Sequence, residues 1–265
     1  ARNQRSTVLA LNGDFGSRAR FRLLGVSATV NSVNYVGGLA ATGTKKSIVP
    51  YIVADTSYTG GGADFVNLNN ASTSTTNVIV PLTSAEYAVY GSAAATDNVR
   101  ISAVVSPFVG TTINSLKIDS GTTTGYDLTG SGVLDITSGA LLFVGSKAQT
   151  INGFSALTTG AVTPIISEYI FHVANTSAAG ITWNVPLTAT ANALTKSSPG
   201  RLTLGANNTY GGPTTINAGI LAVSASNHLG DELSSTNGLV FSGGTLAMTE
   251  SFTTTRSALF NRAGG

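Results

Sequence analysis

Three aspartates in the middle of the chain, Asp119, Asp127 and Asp135, are the residues whose type best suits chemistry. Two or three acids on adjacent turns of a β-helix, or an Arg or Lys acting as base, suffice for polysaccharide hydrolysis or elimination. If Leu116 and Leu134 stack in register, their outward neighbours Lys117 and Asp135 fall one strand spacing apart, about 5 Å. The simpler consequence of that register is an exposed, solvated ion pair that contributes little stability. A sugar groove also needs clustered aromatic rings, whereas Trp183 is alone and the eight tyrosines are dispersed.

The other chemistry-bearing residues fit their motifs less well. His172 and His228 are far apart in sequence and outside any His-Glu-x-x-His cluster, so they read as a strand residue and a loop residue. Residues 38–47, GLAATGTKKS, nearly spell a phosphate loop, but Thr44 separates Gly43 from Lys45. The motif needs Gly-Lys-Ser/Thr in direct succession to bring the amine onto phosphate, so the stretch reads as a turn with two solvated lysines. Residues 59–64, TGGGAD, resemble one calcium-binding nonapeptide, yet Thr59 replaces its first Gly and no tandem copy follows, which leaves a flexible loop. No Gly-x-Ser-x-Gly elbow occurs. The sequence therefore assigns no catalytic, cofactor-binding or metal-ligating residue, and the expectation is a protein that is not an enzyme.

Composition dictates which elements hold these residues. Only 10% of the 265 residues are charged, against the roughly 25–35% of an ordinary soluble surface, so Thr, Ser, Asn and Gly must supply the solvated face. Thirty-one glycines spread among Val, Ile, Thr and aromatic residues favour short strands and tight turns over helices. The net charge of +2 hides an uneven distribution: between Ala1 and Arg22, Arg2, Arg5, Arg18, Arg20 and Arg22 face one acid, Asp14. Without aromatic interleaving or a nucleic-acid motif, this arm reads as a solvated face or a contact with an acidic neighbour, and no nucleic acid is expected. The absence of cysteine excludes disulfides and thiolate metal sites. The longest apolar runs, 140–144 and 164–173, fall short of the ~18 residues of a membrane helix. A chain beginning at Ala1 reads as a processed mature protein or a section of a longer one.

A local pattern, Gly-x-Leu-x-apolar, recurs at Gly132, Gly139, Gly200, Gly219 and Gly244. Each copy reads as a turn and a strand whose alternation buries, for example, Leu202 and Leu204 and turns Thr203 outward. A Thr-Ile-Asn triplet recurs at Thr112, Thr150 and Thr215. The steps from Leu116 to Leu134, from Leu202 to Leu221 and from Gly219 to Gly244 each approximate one solenoid coil. At about 20 to 25 residues per coil the whole chain would make on the order of eleven to thirteen coils, roughly 50 to 60 Å long. A β-sandwich is the alternative, but it does not account for tandem cassettes. Residues 1–110 lack them, with alternating stretches at 7–11, 21–30, 48–53 and 99–105 and a capped helical turn at 84–90.

The segment LTKSSPGRLTLGANNTYGGPTTINAGILAV, ending at Val223, resembles the autotransporter-associated β-strand repeat of bacterial passenger domains, whose usual form is LTKxGxGxLTLxGxNTYxGxTTxxxGxLxV. Pro213 stands where Thr or Ser is commoner. The following NHLGDELSSTNGLVFSGGTLAMTESFTTTRSALF is similar to the family's usual continuation, and weaker likeness reaches back through TTINSLKIDSG and SGVLDITSGALLFVG. The resemblance implies a right-handed parallel β-helix at the bacterial surface or released from it, often one section of a longer protein, with no catalytic residues. The resulting expectation is an all-β right-handed parallel β-helix (β-solenoid) over 111–265, with the cassette at 196–223 and a less regular β-rich part or cap over 1–110. Its expected role is that of an extracellular structural or adhesive module, a section of a self-associating surface fibre whose copies meet end to end, with a surface glycan as a further partner. The alternative is a polysaccharide-binding or polysaccharide-degrading β-helix protein.

Overall fold

The computed structural model describes residues 8–11, 43–55, 62–69, 78–105, 107–123, 125–159 and 167–261. These residues form 23 short strands and two 3-10 turns, with no α-helix among them. From Ala88–Val89 onward every strand pair is parallel, in three sheets of nine, seven and three strands. From Asn98–Ile101 onward, successive strands of one sheet are separated by strands of the others, which is the topology of a β-solenoid of about six turns. Each rung places its backbone donors and acceptors on the next, so hydrogen bonding runs along the stack.

Period-2 alternation sorts the side chains. In the nine-stranded sheet Val99, Leu116, Leu141, Phe171, Lys196, Ile216, Phe241 and Phe260 stand in one column, partner on partner. In the seven-stranded sheet Ile151, Trp183, Leu204, Val223 and Met248 form another. These columns meet in a continuous interior, where Phe143 and Phe171 stack at 6.0 Å and Trp183 sets its edge against both. Corners turn on glycines with positive φ. A Cβ on Gly219 (φ +67) would lie 2.4 to 2.6 Å from the carbonyl oxygens of Gly200, Pro199 and Ser198, so only glycine fits.

Cassette alternation holds: Leu202 and Leu204 are buried while Thr203 faces outward. The intervals fare unevenly. Leu202 pairs with Leu221, and Ile220 with Thr245, so the steps from Leu202 and from Gly219 are true rungs. The step from Leu116 to Leu134 is not, because Leu116 stacks between Val99 and Leu141 while Leu134 pairs with Leu157 in the three-stranded sheet. The Thr-Ile-Asn triplets likewise lie on three different sheets. The whole-chain count of eleven to thirteen coils also fails, since residues 43–55, 62–69 and 78–81 contribute none.

Those residues build a second layer. Ile52–Asp55, Ala63–Asn69 and Val78–Pro81 pair antiparallel in sequence, with Val8–Leu11 parallel to the first of them. Ile48, Val53, Phe65, Leu82 and Tyr87 pack with Ala140, Leu142, Val144 and Ala174, which face outward from the nine-stranded sheet. This covering layer explains why Ala140–Val144 and Glu168–Val173 are buried at every position. The expected capped turn is the 3-10 turn Ser84–Glu86, where the Thr83 N–H donates to Glu86 Oε2 at 2.8 Å. The expected strand at 21–30 and the basic arm lie outside the described residues.

Candidate functional site

The three aspartates do not converge. Asp119 ends the strand Ser115–Asp119 of the nine-stranded sheet, where its Oδ2 accepts from Arg100 at 2.6 Å and its Oδ1 from the Gly121 N–H at 3.0 Å. Asp135 lies on the three-stranded sheet and accepts from the Thr158 hydroxyl at 2.8 Å. Asp127 precedes Leu128–Ser131 of the seven-stranded sheet and accepts from the Thr150 N–H at 2.7 Å. Each carboxylate bonds to a group about one rung away, or to its own corner, which suits a rung-to-rung tie.

Lys117 is corrected most. It is not paired with Asp135, nor solvated: it is 5% exposed, with Arg100 and Leu142 as its neighbours in the ladder. Its ammonium bonds Asp64 of the covering layer and lies 5.6 Å from the Tyr87 ring centroid. The Tyr87 hydroxyl donates to Asp64 at 3.1 Å and accepts from the Phe65 N–H at 3.3 Å. Burial raises the Asp64 carboxyl above its ordinary value, against the opposing pull of Lys117, and raises the Tyr87 phenol well above its own. Asp64 is thus a strand residue and not part of a flexible loop; Thr59, Gly60 and Gly61 lie outside the described residues. Of the near-phosphate loop, Lys45 is exposed as expected, whereas Lys46 pairs with Glu86.

His172 is a strand residue, as expected, fully buried under the covering layer with Nε2 2.8 Å from the Pro50 carbonyl oxygen and its ring edge-on to Phe65. His228 lies in the 3-10 turn Ser226–Leu229, and burial lowers its pKa. Among the described residues no three His, Cys, Asp or Glu side chains gather as a metal site.

Sequence reasoning passed over Lys196. It occupies the inward column between Phe171 and Ile216 and is fully buried. Its ammonium donates to three backbone carbonyls, Ser197 at 2.9 Å, Ser198 at 2.7 Å and Ala218 at 3.0 Å. Ser198, at φ +66, is the one described non-glycine residue in the left-handed region, at the corner that presents two of these carbonyls. Burial pulls the amine down to about 7. The signal available beforehand was parity, since Lys196 shares a strand face with the buried Leu194.

A stack of parallel rungs whose charged groups tie rung to rung defines a β-solenoid. Residues 194–223 match the family model described as passenger-associated-transport-repeat, so the repeat spans the strands Ala193–Ser197 to Ile220–Val223 and includes the Lys196 corner. Repeat and solenoid together fit an autotransporter passenger β-helix repeat protein, and they point to a structural more than a catalytic role and to secretion or surface exposure. No curated protein and no solved structure matches the chain. No helix among the described residues is long and apolar enough to cross a membrane.

Proposed function

We propose that this chain is a structural, surface-exposed or secreted section of a bacterial passenger rod, without catalytic activity of its own. The supporting observation is that the residues best suited to chemistry are held within the fold. Asp119, Asp127 and Asp135 bond within three different sheets, Lys117 fastens the covering layer, and Lys196 fills a carbonyl cluster in the interior. What the stack offers a cell is length, rigidity and a Thr- and Asn-rich face, the properties of a spacer or of an adhesive shaft.

Two measurements test this. Antibodies against the chain should label intact cells of the source bacterium, or detect the chain in the culture fluid; labelling that needs cell lysis would refute surface display. Purified protein should leave polysaccharide viscosity unchanged. A viscosity loss abolished by Asp119→Ala or Asp135→Ala would instead establish a degrading enzyme.

A further inference from the structure

Among the described residues, positive φ belongs to glycines and to Ser198, at φ +66. A residue with a side chain rarely adopts this conformation, and the strain persists only where the surroundings hold it. Ser198 is held by the ladder on both sides of its corner. Ser197 pairs with His172 just before it, and the Gly200 N–H donates to the Val173 carbonyl at 2.8 Å just after it.

At this φ the Ser198 Cβ stands gauche to the carbonyl carbon of Ser197, so rotation about Cα–Cβ brings Oγ onto that carbon. At the negative φ of a helix or a strand, Cβ points away and the same oxygen does not reach. Ser198 is 4% exposed, and its Oγ has no hydrogen-bond partner among the described residues. The Ser197 carbonyl accepts from the Lys196 ammonium at 2.9 Å, which polarises it and favours negative charge developing on its oxygen. A nucleophile, an electrophile and a cation thus meet at one peptide bond. Water reaches this corner at Pro199, which is exposed.

We propose that the chain cleaves itself between Ser197 and Ser198 by an N-to-O acyl shift. Ser198 Oγ adds to the Ser197 carbonyl carbon and closes a hydroxyoxazolidine ring, whose oxyanion Lys196 holds. The ring opens by breaking the bond from that carbon to the Ser198 nitrogen, which takes up the proton lost by Oγ. An ester replaces the amide, and Ser198 gains a free amine. Water then hydrolyses the ester, leaving a Ser197 carboxylate and restoring the Ser198 hydroxyl. One water is consumed, with no oxidant or reductant. Release of the left-handed strain favours the shift. The cut removes no rung: Ala193–Ser197 and Arg201–Leu204 keep their ladder partners on both sides, so the two pieces stay stacked. This self-processing goes beyond the structural reading above and happens once in each chain, without turnover of a substrate.

Mass spectrometry and N-terminal sequencing of the 265-residue protein, incubated folded at neutral pH and then denatured, test it. Expected are fragments 1–197 and 198–265, the second beginning Ser-Pro-Gly. Hydroxylamine, which attacks the ester, should raise their yield at least tenfold. Only fragments beginning at Ser198 count, because hydroxylamine also cuts Asn-Gly bonds such as Asn152-Gly153. Ser198→Gly suits the positive φ and lacks the hydroxyl, so it should abolish the cut while circular dichroism shows it folded. Ser198→Cys, with a thiol as nucleophile, should retain it. A Ser197–Ser198 bond that stays intact in hydroxylamine overturns the proposal, as does cleavage there that persists in Ser198→Gly or runs equally fast in urea-unfolded protein.

Discussion

The Nζ of Lys196 lies 3.0 Å from the carbonyl oxygen of Ala218, a residue of the following rung. Together with Ser197 and Ser198 this makes three acceptors for the three N–H donors of a fully buried lysine. The three carbonyls favour the ammonium, against the desolvation that lowers its pKa. Replacing Lys196 by Met keeps the volume and removes the donors. Unpaired buried carbonyls cost about 1–3 kcal/mol each, less what local relaxation recovers. We expect Lys196→Met to lower stability by about 2–4 kcal/mol, read as a reduced urea midpoint with an unchanged m-value. A midpoint within error of wild type would remove Lys196 as a tie between rungs.

The same residue predicts a pH dependence. Burial holds the amine at about 7 in the folded protein, and it titrates at about 10.4 when unfolded. Between those values the unfolded chain binds a proton that the folded chain lacks, so this contribution to stability grows as pH rises from about 7 to about 10.5 and is constant below 7. Tyr90, Tyr126 and Tyr169, pushed up to about 12 by burial, oppose it above about pH 10. Subtracting the Lys196→Met profile cancels the tyrosine effect. The difference between wild type and variant should widen between about pH 7 and 10; parallel profiles would show that Lys196 keeps its proton.

Lys196 and Lys117 mark the limits of what the sequence discloses. Alternation is legible wherever one sheet face is buried, which is why Leu202, Thr203 and Leu204 were placed correctly and why the step from Leu202 to Leu221 is a real rung. The step from Leu116 to Leu134 looks the same in sequence, yet it passes a corner into another sheet. Rung length also varies, the stretch of sequence between Ile151 and its partner Trp183 being much longer than that between Leu204 and its partner Val223. Lys196 stood at an inward position by parity, but a lysine carries the prior of a surface residue. Lys117 stood at an outward position and was still buried, since a second layer lies over it. Which face receives such a layer is a tertiary fact with no local signature.

That layer supplies a third prediction. Asp64→Ala deprives Lys117, with 6% of its side chain exposed, of its carboxylate. Breaking a buried pair from one side costs about 3–5 kcal/mol, because a charge remains without a partner. Hydrogen exchange should therefore rise selectively over residues 43–55 and 62–69, while amides of the interior stack around Trp183 stay protected. The double variant Asp64→Ala/Lys117→Met should recover most of the loss, since neither charge is then stranded. Equal exchange everywhere would mean that the layer and the solenoid unfold as one unit.

Corner glycines allow conformational strain to be separated from collision. Gly43 and Gly139 both have positive φ, +78 and +67, but a Cβ at Gly43 meets nothing within 4 Å, whereas at Gly139 it would lie 2.0 Å from the Glu168 carbonyl oxygen. Gly43→Ala should carry only the left-handed penalty, about 1–2 kcal/mol. Gly139→Ala adds a backbone collision in the middle of the stack, where the Ile170 N–H also bonds the Gly139 carbonyl at 2.8 Å. Relief requires the rungs to separate locally, so the loss should exceed that of Gly43→Ala by about 2 kcal/mol or more, within the range seen for severe core overpacking. Urea midpoints of the two variants give the comparison directly. Equal losses would mean that the rung spacing at Glu168 yields at little cost, and that the solenoid is softer along its axis than its continuous hydrogen bonding implies.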